Sequence, residues 1–309
     1  MDNSVDYKRI WLSTRAHLES DRYKYRSSGK RSKSRWSLFS KLLRIFVFLL
    51  KVFNLYKRGL KNAKNIHINE FTLEYPDLPE KFDGYKILHL SDLHLDTLPG
   101  IEDIIIEKIQ NLKYDLCVMT GDYRKNTLGS FMQIINPLKK IVSAKKPNDG
   151  IIAIFGNHDT YLMLKQFEKM GITFLANENI TINKGSDKIT ITGLDDPFYY
   201  YTDQAVNALE ENIKGFKIAL VHTSELYKTA EQNAYNLYLC GHTHGGQICL
   251  PGGIPIITHQ FEGKKFYKGL WNFNNMIGYT SQGCGTSGIP IRFYSQSEIT
   301  LFTLKRNLE

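Results

Sequence analysis

Five short apolar runs, each ending in Asp, Asn or His, constrain this chain more than any other feature. Ile87–Leu90 leads into Ser91-Asp92-Leu93-His94, Leu116–Thr120 into Gly121-Asp122, and Ile151–Phe155 into Gly156-Asn157-His158-Asp159. Ile218–Val221 runs directly into His222, and Leu237–Cys240 into Gly241-His242-Thr243-His244-Gly245-Gly246. The runs are four or five residues long, rich in Ile, Val and Leu, and bounded by Gly or polar residues, as buried strands are. Stretches with helical spacing separate several of them, namely Glu102–Asn111, Phe131–Val142 and Thr160–Met170. Strands alternating with helices predict a layered α/β fold. Ligands collect beyond the carboxyl ends of the strands in such sheets, so the five polar tips are expected at one rim.

Taken singly, each tip is a weak signal. A Gly-Asp is ordinarily a turn, and a Gly-x-His-x-His is compatible with two surface histidines. Five together, each at a strand end, point to a metal site. Imidazole, carboxylate and amide oxygen without thiolate suit Mn, Fe or Zn better than soft copper or an iron–sulfur cluster. Two ions about 3.5–4 Å apart need a bridging anion, which Asp122 can supply. Asp92 and His94 stand two apart and can converge on one ion; His242 and His244 share that spacing, so each can serve a different ion.

The ordered set SDLH, GD, GNHD, a lone His after a strand, and GHTH resembles the calcineurin-like metallophosphoesterase superfamily over residues 68–305. GHTHGGQICLP (Gly241–Pro251), GCGTSGIPIRF (Gly283–Phe293) and the hydrophobic segment before the catalytic region resemble its membrane-associated bacterial branch, which contains UDP-2,3-diacylglucosamine pyrophosphatases. The resemblance implies a layered β-sandwich flanked by helices. It implies that Asp92, His94 and His244 hold one divalent ion, Asn157, His222 and His242 a second, and that Asp122 bridges them. It assigns His158 to the phosphate and the leaving oxygen, with Asp159 orienting it. Manganese is the first expectation for the metal, with Fe, Zn or Mg as the others. The implied substrate is a lipid-linked nucleotide, UDP-2,3-diacylglucosamine, cleaved to UMP and the lipid 1-phosphate in lipid A synthesis. Another lipid or nucleotide phosphodiester is the alternative. A non-catalytic scaffold of the same fold would be marked by missing ligands, and none of the seven is missing. Two departures bear on the substrate side: Lys125 stands where many relatives have an acid, and Thr223-Ser224 follow His222 in place of Asn-Pro.

Arg124 and Arg292 are candidates for a substrate phosphate, with a solvated surface arginine as the plain alternative for each. The Phe198–Tyr201 cluster reads as packing, or else as a stacking surface or acyl groove. Gly245 and Gly246 let the backbone turn sharply beside the metals.

Charge divides the chain in two. Residues 1–64 carry 17 Lys+Arg against 4 Asp+Glu, whereas the remainder carries 23 against 27, which disfavours nucleic-acid binding by the main body. The run Arg22–Arg35 has seven basic residues and no acid, and is expected to be solvated. From Trp36 to Arg58, Lys41, Arg44, Lys51 and Arg58 fall on one helical face and Leu42, Phe46, Leu49, Leu50 and Phe53 on the other. That pattern predicts a basic amphipathic helix lying in an anionic membrane surface. Packing on its own domain or on a second subunit is the alternative, and a tilted span a third. The expected division is therefore a basic tail and membrane-associating helix over 1–64, and a catalytic domain over 65–309. The expected location is the cytoplasmic side of the inner membrane, from the polybasic segment and the absence of an early apolar h-region. Cys117, Cys240, Cys249 and Cys284 form no CxxC pair and read as small core residues of a reducing compartment. No motif specifies an oligomeric state.

Overall fold

The computed structural model describes residues 7–28, 41 and 43–307. Three helices come first: α1 (Tyr7–Ser28), α2 (residues 43–52) and α3 (Leu55–Lys64). Then follow β1 (Ile66–Tyr75), β2 (Lys86–Leu90), α4 (Ile101–Ile109), β3 (Leu116–Met119), α5 (Met132–Ala144), β4 (Ile151–Ala153), α6 (Leu164–Lys169) and β5 (Thr173–Phe174). The second half holds β6 (Glu178–Lys184), β7 (Asp187–Gly193), α7 (Asp203–Glu210), β8 (Phe216–Leu220), α8 (Tyr227–Gln232) and β9 (Leu237–Cys240). It closes with a short hairpin, β10 (Cys249–Leu250) and β11 (Ile254–Pro255), then β12 (Gly269–Phe273), β13 (Met276–Thr280) and β14 (Ser297–Arg306).

Two six-stranded sheets result, in the orders β1-β14-β2-β3-β4-β5 and β12-β13-β9-β8-β7-β6. β2, β3, β4 and β5 run parallel, as do β13, β9, β8 and β7. Side chains alternate between the faces of each strand. In the first sheet Ile87, Val118 and Ile152 therefore meet Ile191, Ile218 and Leu239 of the second in a shared core. Leu88, Leu90, Met119 and Ala153 face the other way, under α4 and α5. Ala219, Tyr238 and Cys240 turn outward beneath α7 and α8. The architecture is the layered β-sandwich flanked by helices that the sequence predicts. The five expected strands are β2, β3, β4, β8 and β9, and their carboxyl ends meet at one rim.

The N-terminal segment departs from its expected role as a tail. Trp11 of α1 is 2% exposed and packs among Phe155 and Phe174, with ring centroids 6.0 and 5.1 Å away. Its indole N–H donates to Asp195 Oδ2 at 2.7 Å. A net charge of one sign describes the segment as a whole and conceals single side chains that enter the core. The basic run at Arg22–Arg35 continues α1 as far as Ser28, and residues 29–35 lie outside the described residues. The helix expected over Trp36–Arg58 is two helices in its described part, broken at Asn54, whose backbone is left-handed (φ 57°). Asparagine tolerates that conformation better than most residues. α3 packs on its own domain through Gly59 and Ala63, while α2 buries Leu50 and leaves Ile45, Phe46, Phe48, Leu49 and Val52 exposed. Among the described residues no helix is long and apolar enough to cross a membrane.

Trp11→Ala should lower the unfolding free energy by about 3–5 kcal/mol, measured by urea denaturation. A loss under about 1 kcal/mol would mean that α1 is not docked in solution.

Candidate metal centre

Three of the five strands, β2, β3 and β9, end in residues whose backbone turns the wrong way for an L-amino acid. Asp92 (φ 50°), His94 (φ 38°), Asp122 (φ 57°), His242 (φ 73°) and His244 (φ 52°) all lie in the left-handed region. Such conformations cost about 1–3 kcal/mol each and persist only where the surroundings over-determine them. Backbone bonds between loops supply that: Asp92 N–H donates to Gly121 O, and His94 N–H to Asp122 O, both at 3.0 Å. Two glycines let the loops close. A Cβ on Gly156 would stand 2.3 Å from Asp122 Oδ1, and one on Gly241 would stand 2.2 Å from Asp92 Oδ2.

All seven residues named as ligands from the sequence come together, in two groups around Asp122. On one side His94 Nε2 lies 3.1 Å from His244 Nε2, and His244 Nε2 lies 3.4 Å from Asp92 Oδ1. On the other, Asn157 Oδ1 lies 3.1 Å from His222 Nε2 and 3.0 Å from His242 Nδ1. Asp122 Oδ2 stands between them, 3.7 Å from His94 Nε2 and 3.4 Å from His222 Nε2.

Hydrogen bonds on the outer side of the rings fix what faces inward. Carbonyl oxygens only accept, so His94 Nδ1–H donates to Arg124 O, His222 Nδ1–H to Thr120 O and His242 Nε2–H to His259 O. In its neutral form each ring then directs a lone pair into the site. Those lone pairs and the Asn157 amide oxygen face one another at 3.0–3.3 Å, an arrangement that repels unless a cation or a proton sits between. This buried set of nitrogen and oxygen donors fits divalent cations.

A family model described as calcineurin-like phosphoesterase matches residues 85–246, and the metallophosphoesterase YkuE of Bacillus subtilis, itself described as uncharacterized, is 34% identical over 78% of this chain and 86% of its own. The chain belongs to the calcineurin-like phosphoesterases. The phosphodiesterase YaeI of Escherichia coli is 28% identical over 71% of this chain and 82% of its own length. A transmembrane protein with metallophosphoesterase domain from Danio rerio is 29% identical over 80% of this chain, which spans 60% of that protein.

Burial and mutual charge set the protonation of this phosphoesterase site. Burial alone would raise the Asp122 carboxyl, but His222, together with His158 and His94, outweighs it and holds the group well below the usual range. Burial opposes charge on His222, yet Asp122, Asp92 and Asp196 outweigh it and lift the imidazole to about 10. Burial pushes His94 and His242 down to about 3, and with His94 and Arg292 it holds His244 well below the usual imidazole range. Burial, with Asp122, raises Asp92 to about 6.

Three sequence-based roles need correction. Arg124 does not face a substrate: it is buried, with Nε donating to His158 O at 2.7 Å and its other nitrogens to Gly129 O and Thr127 O. Arg292 is also buried, donating to the carbonyls of His244, Gln282, Gly283, Gly285 and Gln296. Both guanidinium groups tie loops behind the ligands. Asp159 does not orient His158; its carboxylate accepts the backbone N–H groups of Asp122, Tyr123 and Gly156 at 2.8–3.0 Å. His158 Nδ1–H is held by the carbonyl of Lys125 instead, which turns Nε2 toward Asp122 Oδ2, 3.9 Å away.

Other positioning residues carry no sequence signal. Arg15 of α1 is fully buried, pairs with Asp195, and donates to Gly156 O and Asp159 O at 3.1 and 3.0 Å. Glu19 accepts from Thr160 Oγ1 at 2.6 Å and Tyr161 N–H at 3.0 Å. The N-terminal helix thus grips the loop bearing Asn157 and His158 from both ends. Thr120 Oγ1 donates to Ser91 Oγ, which donates to Asp92 Oδ2, so His89 must give its Nε2–H to Thr120 Oγ1. Within the GCGTSGIPIRF segment, Cys284 N–H donates to Ser91 O and Gly285 N–H to Asp92 O, backing the first ligand loop.

Metal uptake has a pH signature. With His222 raised to about 10, the metal-free chain holds a proton there at neutral pH, and a cation must displace it. Affinity for Mn²⁺ should therefore rise with pH between about 6 and 10, by roughly tenfold per unit for each proton released, and more steeply below 6, where Asp92 is also protonated. Calorimetric titration in two buffers of different ionisation enthalpy counts the protons. Zero released at pH 7 would remove His222 from the ligand set.

Proposed function

We propose that this phosphoesterase hydrolyses a lipid-linked phosphodiester or pyrophosphate at a membrane surface, with UDP-2,3-diacylglucosamine, cut to UMP and the lipid 1-phosphate, as its substrate. One observation carries the chemistry: two groups of inward-facing donors share the Asp122 carboxylate, with His158 at their edge. Asp92, His94 and His244 would hold one cation and Asn157, His222 and His242 the other, with Asp122 common to both. Two divalent cations there, manganese before Fe, Zn or Mg, supply an activated water and neutralise the phosphoryl oxygens.

The chain's own residues do the rest. His158 is partly exposed, its side chain being 20% accessible, whereas His94, His222 and His244 are buried. Its Nδ1–H is pinned to Lys125 O, so Nε2 can hand a proton to the leaving oxygen as the bond from phosphorus breaks. Arg124 holds the His158 carbonyl, which keeps the ring at that edge without contributing charge to the substrate. The lipid part of the reading rests on α2 and the turn after it, where Phe48 and Phe53 are 64% and 67% exposed beside Arg44 and Lys51. An enzyme acting on acyl-bearing molecules gains from a helix that lies in the interface. We place that interface on the cytoplasmic side of the inner membrane, where polybasic segments meet anionic lipid.

UMP release from UDP-2,3-diacylglucosamine by metal-stripped protein should require added Mn²⁺ and vanish in Asp122→Ala. His158→Ala should lower kcat by about 10²–10⁴-fold with metal content unchanged. Metal-dependent cleavage of bis(p-nitrophenyl) phosphate without UMP release would keep the chemistry and reassign the substrate to another lipid or nucleotide. Inactivity on both would leave the scaffold reading.

A further inference from the structure

The chain from Ile248 to Phe261 contains no charged residue and exposes large apolar side chains along most of its length. Leu250, Ile254, Ile256, Ile257 and Phe261 all project into solvent, Ile256 being 61% and Phe261 72% exposed. They sit on the β10–β11 hairpin and the loop after it, a protruding element that no described part of the chain covers. Scattered apolar surface residues need no explanation, but a contiguous group of this size does.

The hairpin is joined on one side to the N-terminal helices. Cys249 N–H donates to Phe293 O and Phe293 N–H to Gln247 O. The next link is Arg292 N–H to Gly59 O of α3 at 3.0 Å, with Asn62 Nδ2 donating to Arg292 O. Exposed Tyr294 and Leu55 line one cavity there with Arg58. Leu55 begins α3, one residue past the Asn54 break from α2. On its other side the loop reaches the metal centre: His259 O accepts the Nε2–H of His242, and the Phe261 ring stacks on Phe198 at 4.9 Å, which lies 4.7 Å from the His242 ring. An apolar belt therefore runs from α2, past Leu55 and Tyr294, over the hairpin, to the mouth of the site.

Charge selects the occupant. Residues 36–58 contain five basic residues and no acid, and Lys264, Lys265 and Lys268 follow the loop. Glu225 accepts the Phe261 and Glu262 N–H groups and Glu262 pairs with Lys228, so the basic residues stay in excess. Projecting aliphatic and aromatic tips in such a neighbourhood match an anionic lipid surface, where apolar groups enter the acyl boundary and cations meet headgroups. A second copy of the chain would have to place this basic belt against its own like charge.

We propose that the β10–β11 hairpin and its following loop, through Phe261, are a second lipid-docking element, which works with α2 to seat the metal centre at the lipid–water boundary. This rests on the proposed action at a membrane surface and adds the way the site is delivered there. A lipid-borne phosphate then reaches the cations without its acyl chains leaving the interface.

The test places an environment-sensitive NBD label at Ile256→Cys; the four native thiols are buried, so the label is directed to the loop. Vesicles of phosphatidylcholine with about three-tenths phosphatidylglycerol should shift its emission to the blue and raise its intensity. Ile256→Asp together with Ile257→Asp should weaken co-sedimentation with the same vesicles by tenfold or more, with an unchanged thermal unfolding transition. An NBD signal that ignores vesicles while the protein still sediments would leave α2 alone as the anchor and overturn the proposal. So would a signal that rises with protein concentration in the absence of lipid, which would mark a contact between copies. Hydrolysis of bis(p-nitrophenyl) phosphate in free solution reports separately on the chemistry, so failure of docking and failure of the proposed reaction are told apart.

Discussion

Asp122 sits almost fully buried where loops from the two sheets meet, and an ionised carboxylate in that position must be surrounded by donors and positive charge. The surrounding loops are arranged to provide them. His158 N–H donates to its Oδ1 at 2.8 Å, and the rings of His94, His158 and His222 gather within 3.9 Å of Oδ2. Its own backbone N–H is taken by Asp159. These partners come from the ends of β2, β4 and β8, around the end of β3 that carries Asp122, so both sheets must present their carboxyl ends to the same rim. The sandwich arrangement is what lets one carboxylate touch loops separated by 100 residues of chain.

The parts of the fold that depend on short-range pattern were readable from residues alone. Four or five apolar residues followed by Gly, Asp or His mark β2, β3, β4, β8 and β9, and the ligands are the polar residues that follow them. The edges of the sheets were not readable in the same way. β1 and β6 alternate polar with apolar and border solvent, and β14 finds its place between β1 and β2 only through long-range pairing. Positioning residues were the least legible. An arginine looks the same in sequence whether its guanidinium meets a phosphate or, as at Arg124 and Arg292, a set of backbone carbonyls. Asp159 follows His158 directly, yet its carboxylate turns away from that ring to bind three amides.

The N-terminal helix shows the same limit on a larger scale. Arg15 reaches a carbonyl 141 residues away, and burying it is tolerable only because Asp195, two carbonyls and the face of Tyr200 surround it. Asp195 is held by both Trp11 and Arg15, so the helix and the site loop share one polar anchor beneath an apolar one. A segment that counts as a basic tail by composition is, in space, part of the wall of the active region.

The left-handed backbone at Asp92, His94, Asp122, His242 and His244 also bears on how such a site can drift or be redesigned. Each position imposes two separate filters, one on the donor atoms and one on the shape of the residue around its Cα. Asn and Asp pass the second filter readily and β-branched residues do not. A combinatorial library at these positions would therefore be shaped first by backbone handedness, with valine, isoleucine and threonine lost before metal affinity is ever measured. Neighbouring Asn157 and His222, whose backbones are not left-handed, are where alternative donors can be explored at lower conformational risk.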